Sequence, residues 1–136
     1  MTAMLNPGIY ALAVREITAA LTASAQSAIS DLEGVSAVTL EAAFAYGSGG
    51  TSCAVTVQTS FDGGTTWRDV ARFDFTTASA VKHANLSARG EKGVTAYAAL
   101  GSEGVTQGLL GERLRAVITS VGTYANTLLS VRAAVR

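Results

Sequence analysis

The sequence predicts an all-β fold, a two-sheet antiparallel β-sandwich of jelly-roll type with about eight strands. Three observations carry this. Apolar and polar residues alternate with period two in run after run, which sets the apolar side chains of each strand on one face. The chain holds 14 glycines and a single proline, and Ala, Thr, Ser and Val abound, as suits strands joined by tight turns. The segment Ser60-Phe61-Asp62-Gly63-Gly64-Thr65-Thr66-Trp67 lies between two such runs and reads as a hairpin turn.

At 136 residues the chain is one domain with room for a sizeable core. Residues 1–14 form an N-terminal arm ahead of a sandwich over 15–136. The head from Met1 to Tyr10 has no place in the alternation. It is either a frayed terminus or an arm that buries Leu5, Ile9 and Tyr10 on a neighbouring subunit. It lacks a basic n-region and is broken by Pro7-Gly8, so it does not read as a secretory signal, and synthesis in a cytoplasm is expected.

From Arg15 to Thr22, Ile17, Ala19 and Leu21 alternate with polar or small residues, and Ala28 to Leu32 gives a shorter strand stopped by Glu33-Gly34. The Ala-rich stretch from Ala11 to Ser30 is open to a helical reading as well, although its recurring Thr and Ser oppose one. Val38, Leu40, Ala42, Phe44 and Tyr46 share one face, and Gly47-Ser48-Gly49-Gly50 ends that strand. Cys53, Val55 and Val57 point inward from the next. After the turn, Trp67, Ala71, Phe73 and Phe75 line a face, which makes a three-stranded meander. Ala80 to Leu86 is a further strand, and Arg113 to Val121 pairs with Thr127 to Val135 as a hairpin. Between them, residues 88–109 form a glycine-rich insertion, long enough to be functional or mobile.

The turn fits S-x-D-x-G-x-T-W, the Asp-box, a hairpin signature of sialidase-type propellers and scattered other β proteins. Ser60, Asp62, Gly64, Thr66 and Trp67 carry it. Asp62 bonds the backbone ahead, Gly63 and Gly64 supply positive φ, and Trp67 caps the hairpin, packed against Phe73 or another core residue. The motif makes a fold corner and no chemistry.

Other candidates for chemistry are sparse. Cys53 is the only cysteine, which excludes an intrachain disulfide and a thiolate cluster, and it reads as a small buried hydrophobe. His83 is the only histidine; Asp62, Asp69 or Asp74 could complete a triad with it, but no nucleophile motif accompanies it. Asp62 and Asp69 lack the spacing of an EF-hand loop. Neither glycine cluster has the Lys-Ser/Thr ending of a phosphate loop. No enzyme activity, cofactor or metal is expected. Ten Lys plus Arg balance ten Asp plus Glu, which argues against a dedicated nucleic-acid binder and suits a subunit of an assembly. No run approaches the ~18 apolar residues of a membrane span.

The run from Val55 through Trp67 to Ala71, with Gly111 to Val117 and Gly122-Thr123-Tyr124, resembles small β-sandwich proteins of tailed-phage and prophage virions. The resemblance covers residues 15–135 apart from the insertion. It implies a non-enzymatic virion subunit, made in the host bacterial cytoplasm. The leading expectation is a capsid decoration or cement protein, homo-oligomeric, that binds the major capsid protein or other virion subunits. A neck or tail connector subunit is the second. A carbohydrate-binding module, stacking sugars on Trp67 and Tyr97, is the third. The segments unexplained by a sandwich supply the expected interface, with Leu5, Ile9, Tyr10, Tyr97, Leu100, Leu109 and Leu110 as apolar contacts. Arg113 and Arg115, with Arg132 on the paired strand, form a candidate charged face.

Overall fold

The computed structural model describes residues 5–136; Met1 to Met4, the start of the expected arm, lie outside the described residues. The described residues contain strands and no helix, so the Ala-rich stretch resolves as extended chain. The strands are β1 (Gly8–Glu16), β2 (Leu21–Ala25), β3 (Ala37–Ala45), β4 (Ser48–Gly49), β5 (Ser52–Ser60), β6 (Arg68–Phe75), β7 (Ala80–Ser87), β8 (Gly104–Val105), β9 (Arg113–Val121), β10 (Tyr124–Ala125) and β11 (Leu128–Val135). Eight are long, and β4, β8 and β10 hold two residues each.

One sheet runs β1-β11-β3-β7, the other β2-β9-β5-β6-β8, and all pairings are antiparallel. Counted over the eight long strands alone, the orders are first-eighth-third-sixth and second-seventh-fourth-fifth. That is the strand order of a jelly roll, a sandwich of two Greek keys.

The inner faces are those the alternation marks. Val38, Leu40, Ala42 and Phe44 of β3 meet Cys53, Val55 and Val57 of β5 and Phe73 and Phe75 of β6 in one core. Phe44 stacks on Phe75 across the layers with centroids 4.9 Å apart, and Tyr124 meets Phe44 edge-on at 5.7 Å. Burial pushes the Cys53 thiol up to about 11, so at neutral pH it is protonated and unreactive.

Several expected connections differ, for one physical reason. Alternation says which side of a strand is inward, but not which of two apolar layers it faces. The three-stranded meander does not form: β3 belongs to one sheet, and only β5 and β6 pair as a hairpin. Likewise β9 and β11 are not a hairpin. The chain crosses between sheets at residues 122–127, where Tyr124 fills the end of the sandwich and donates its hydroxyl to the Thr76 carbonyl at 2.7 Å.

The N-terminal half departs too. The expected arm over 1–14 is a strand from Gly8 onward, paired along its length with β11. The run from Arg15 to Thr22 breaks at the sheet-to-sheet crossing, where Ile17 is buried and donates its N–H to the Thr127 carbonyl. Ala28 to Leu32 supplies only an isolated bridge, Ile29 to Leu114.

The glycine cluster 47–50 is more than a flexible turn. A Cβ on Gly47 would overlap the carbonyl oxygens of Ala125 and Asn126, and one on Gly50 would enter the Tyr124 ring. These glycines let β4 lie against β10 and seal the crossing.

Candidate assembly surfaces

The turn after β5 is built as an Asp-box. The Ser60 hydroxyl donates to Asp62 Oδ1 at 2.9 Å and accepts from the Gly64 N–H at 2.9 Å. Thr66 gives Asp62 two bonds, from its hydroxyl at 2.6 Å and its N–H at 2.8 Å. These hold the Asp62 carboxyl down at about 2, below its ordinary 3.8, with the Thr66 hydroxyl contributing most. Trp67 Nε1 donates to the Gly64 carbonyl at 3.0 Å.

Trp67 does not reach Phe73 or the core. Between the pairs Val57–Ala71 and Gln58–Asp69, β6 carries one extra residue, Val70. This β-bulge reverses the alternation, so Asp69 and Trp67 face outward while Ala71, Phe73 and Phe75 stay inside. The Arg115 guanidinium lies 4.3 Å from the Trp67 ring centre, and its Nε donates to Gln58 Oε1 at 2.9 Å.

The insertion 88–109 is tied down over β6. Asp69, only 7% exposed, accepts from Gln58 Nε2 at 2.9 Å and from the Leu100 N–H at 3.0 Å. Its own N–H donates to the Tyr97 hydroxyl at 2.9 Å. Arg72 bonds the Leu100 carbonyl at 3.0 Å, and Glu103 accepts from the Asp74 N–H and from Lys82. β8 pairs with β6, so the insertion closes an edge that would otherwise present free backbone groups.

Most of the expected interface residues are therefore engaged within the chain. Leu5, Tyr10, Leu109 and Leu110 are half-buried against the core, and the Leu5 N–H donates to Asp31. Leu100 is half-buried in the clamp. Arg113 pairs with Glu112 at 3.3 Å, and Arg115 lies on Trp67. Arg132 belongs to the other sheet, so the three arginines do not share a face. Ile9 and Tyr97 remain broadly exposed, at 68% and 45%. His83 stands on the outer face of the four-stranded sheet against Glu41 at 3.0 Å, on the opposite layer from Asp69 and Asp74.

Of that outer face the sequence pointed to Ile9 and Arg132 but not to the surface they share. Its register stacks three rows across β1, β11, β3 and β7: Ile9, Ala134, Thr39, Asn85; then Ala11, Arg132, Glu41, His83; then Val14, Ser130, Ala43, Val81. Leu128 and Ala45 continue it below. Of the eight large hydrophobic residues exposed among the described residues, Ile9, Val14, Val81 and Leu128 lie here. Apolar residues on the polar phase of an alternating strand, such as Val81, were the available signal. On β1 a second bulge at Leu12 scrambled it.

Comparison with known proteins finds no matching family model, no matching curated protein and no matching solved structure.

Proposed function

We propose that this chain is a non-enzymatic structural subunit of a tailed-phage virion, a capsid decoration or cement protein that binds and stabilises the head shell. The observation that carries the reading is the jelly-roll strand order, an architecture recurrent in viral capsid domains. A fold by itself hosts many functions. The resemblance of the Val55 to Ala71 hairpin to virion sandwich proteins gives the reading its direction. The polar inventory supports it as well. Asp62 is spent on a turn, Asp69 on clamping the insertion and Arg115 on Trp67, which leaves binding to surfaces rather than to a cleft. A decoration subunit gains from this arrangement because small contacts repeat over a symmetric lattice.

A neck or tail subunit is the second reading, favoured by the same resemblance. The carbohydrate module is less well supported, because Arg115 occupies one face of the Trp67 ring. Reconstruction of particles from a prophage that encodes this chain tests all three. Density for the sandwich on the outside of the head shell is the expected result. Density confined to the neck or tail moves the subunit there, and particles without it defeat the virion assignment.

A further inference from the structure

We propose that the outer face of the four-stranded sheet is a self-association surface, and that its occupant is the same face of a second copy, related by a two-fold axis parallel to the strands between β11 and β3. The inference rests on the pattern of that face and stands independently of the virion reading.

A face-to-face two-fold of this kind lays β11 of one copy over β3 of the other, and β1 over β7. The register then makes the surface complementary to itself. Arg132, which has no ion-pair partner among the described residues, comes to Glu41 of the second copy, and the reverse contact forms at the same time. Val14 comes over Val81, and Ser130 over Ala43. The charged row is the middle one of the three. Stacked sheets ~10 Å apart and rotated by about 30° keep their closest contact at the centre, where Arg and Glu are long enough to meet. Away from the axis Ile9 comes over Asn85 and Ala11 over His83, which keeps Glu41 as its neighbour, while Glu16 lies beyond the three rows at the outer sheet edge beside Leu128.

The other sheet offers no such face, since the clamped insertion and the Arg115–Trp67 pair cover part of it. Size sets the strength. Four strands ~4.8 Å apart and about seven residues long give roughly 450 Å² of projected face, against ~800 Å² per partner in a standard interface. A weak, reversible dimer follows, with a dissociation constant of roughly 10–500 μM.

Sedimentation equilibrium of the full chain from about 5 μM to 1 mM tests this, with circular dichroism confirming that each variant folds. The wild type should pass from monomer to dimer across that range and stop there. Arg132→Glu alone, and Glu41→Arg alone, should each weaken association at least tenfold, because like charges then face each other twice. Mixing the two variants should restore the dimer, since both facing pairs are again opposite in sign. A wild type that stays monomeric to 1 mM overturns the proposal. So do single variants that associate as the wild type does, or a mixture that fails to recover.

Discussion

At the residue scale, Asp62 shows how a motif in a turn becomes a pH dependence. Its carboxylate is held at about 2 against an ordinary 3.8, chiefly by the Thr66 hydroxyl and N–H. A depressed acid stabilises the fold fully above its unfolded value, and that contribution fades as pH falls from about 4 towards 2. Asp62→Asn should therefore melt below the wild type at pH 7, and the gap should close in that acid window. The difference will be small, because the carboxylate is exposed and water screens it. A gap that persists unchanged at pH 2 would show that the side chain acts through shape and not charge. The Asp-box was legible because its residues bond only within a few positions of one another. The orientation of Trp67 was not. It depends on the bulge at Val70, which no local pattern around Trp67 announces.

At the scale of elements, the insertion 88–109 carries little regular structure yet is fixed to β6 by four hydrogen bonds involving side chains, besides the backbone pairing of β8. Asp69 is the hub. Replacing it by Ala strands the Leu100 N–H and the Gln58 amide, a cost of about 1–3 kcal/mol in a site this buried. Hydrogen exchange on Asp69→Ala should show lost protection at Leu100 and Thr106, with β3 and β11 unchanged. Equal protection throughout would mean that apolar packing of Leu109 and Val105, and not the clamp, seats the insertion. The sequence marked this segment as a long glycine-rich connection; in the structure β7 ends at Ser87, β9 opens at Arg113 and the short β8 lies between them. What it could not supply were the partners, because Asp69 and Leu100 are 31 residues apart in the chain. The inner faces of β3, β5 and β9 were readable for the opposite reason: period-two burial is a local property. Pairing is not local, so the assumed β9–β11 hairpin failed while both strands were placed almost to the residue.

At the scale of the whole molecule, β9 and β11 are interior strands of their sheets although every strand that flanks them precedes them in sequence. β9 separates β2 from β5, and β11 separates β1 from β3. A chain cut before Leu128 keeps seven of the eight long strands, yet leaves β1 with no hydrogen-bonded neighbour and one hydrogen-bonding edge of β3 open. Such a truncation should lose cooperative thermal unfolding altogether; a sharp melt near that of the full chain would show the sheet closing without its central strand. The same placement governs how the protein is made. A nascent chain leaving the ribosome at about 5–20 residues per second must hold β1 and β2 without their partners until β11 and β9 have emerged. During those seconds the β1 and β3 segments carry open edges, which favour wrong pairing between neighbouring polypeptides on one message. Codon usage that speeds residues 113–135, or a chaperone that holds β1 to β3, should therefore raise soluble yield more than any stabilisation of the finished sandwich.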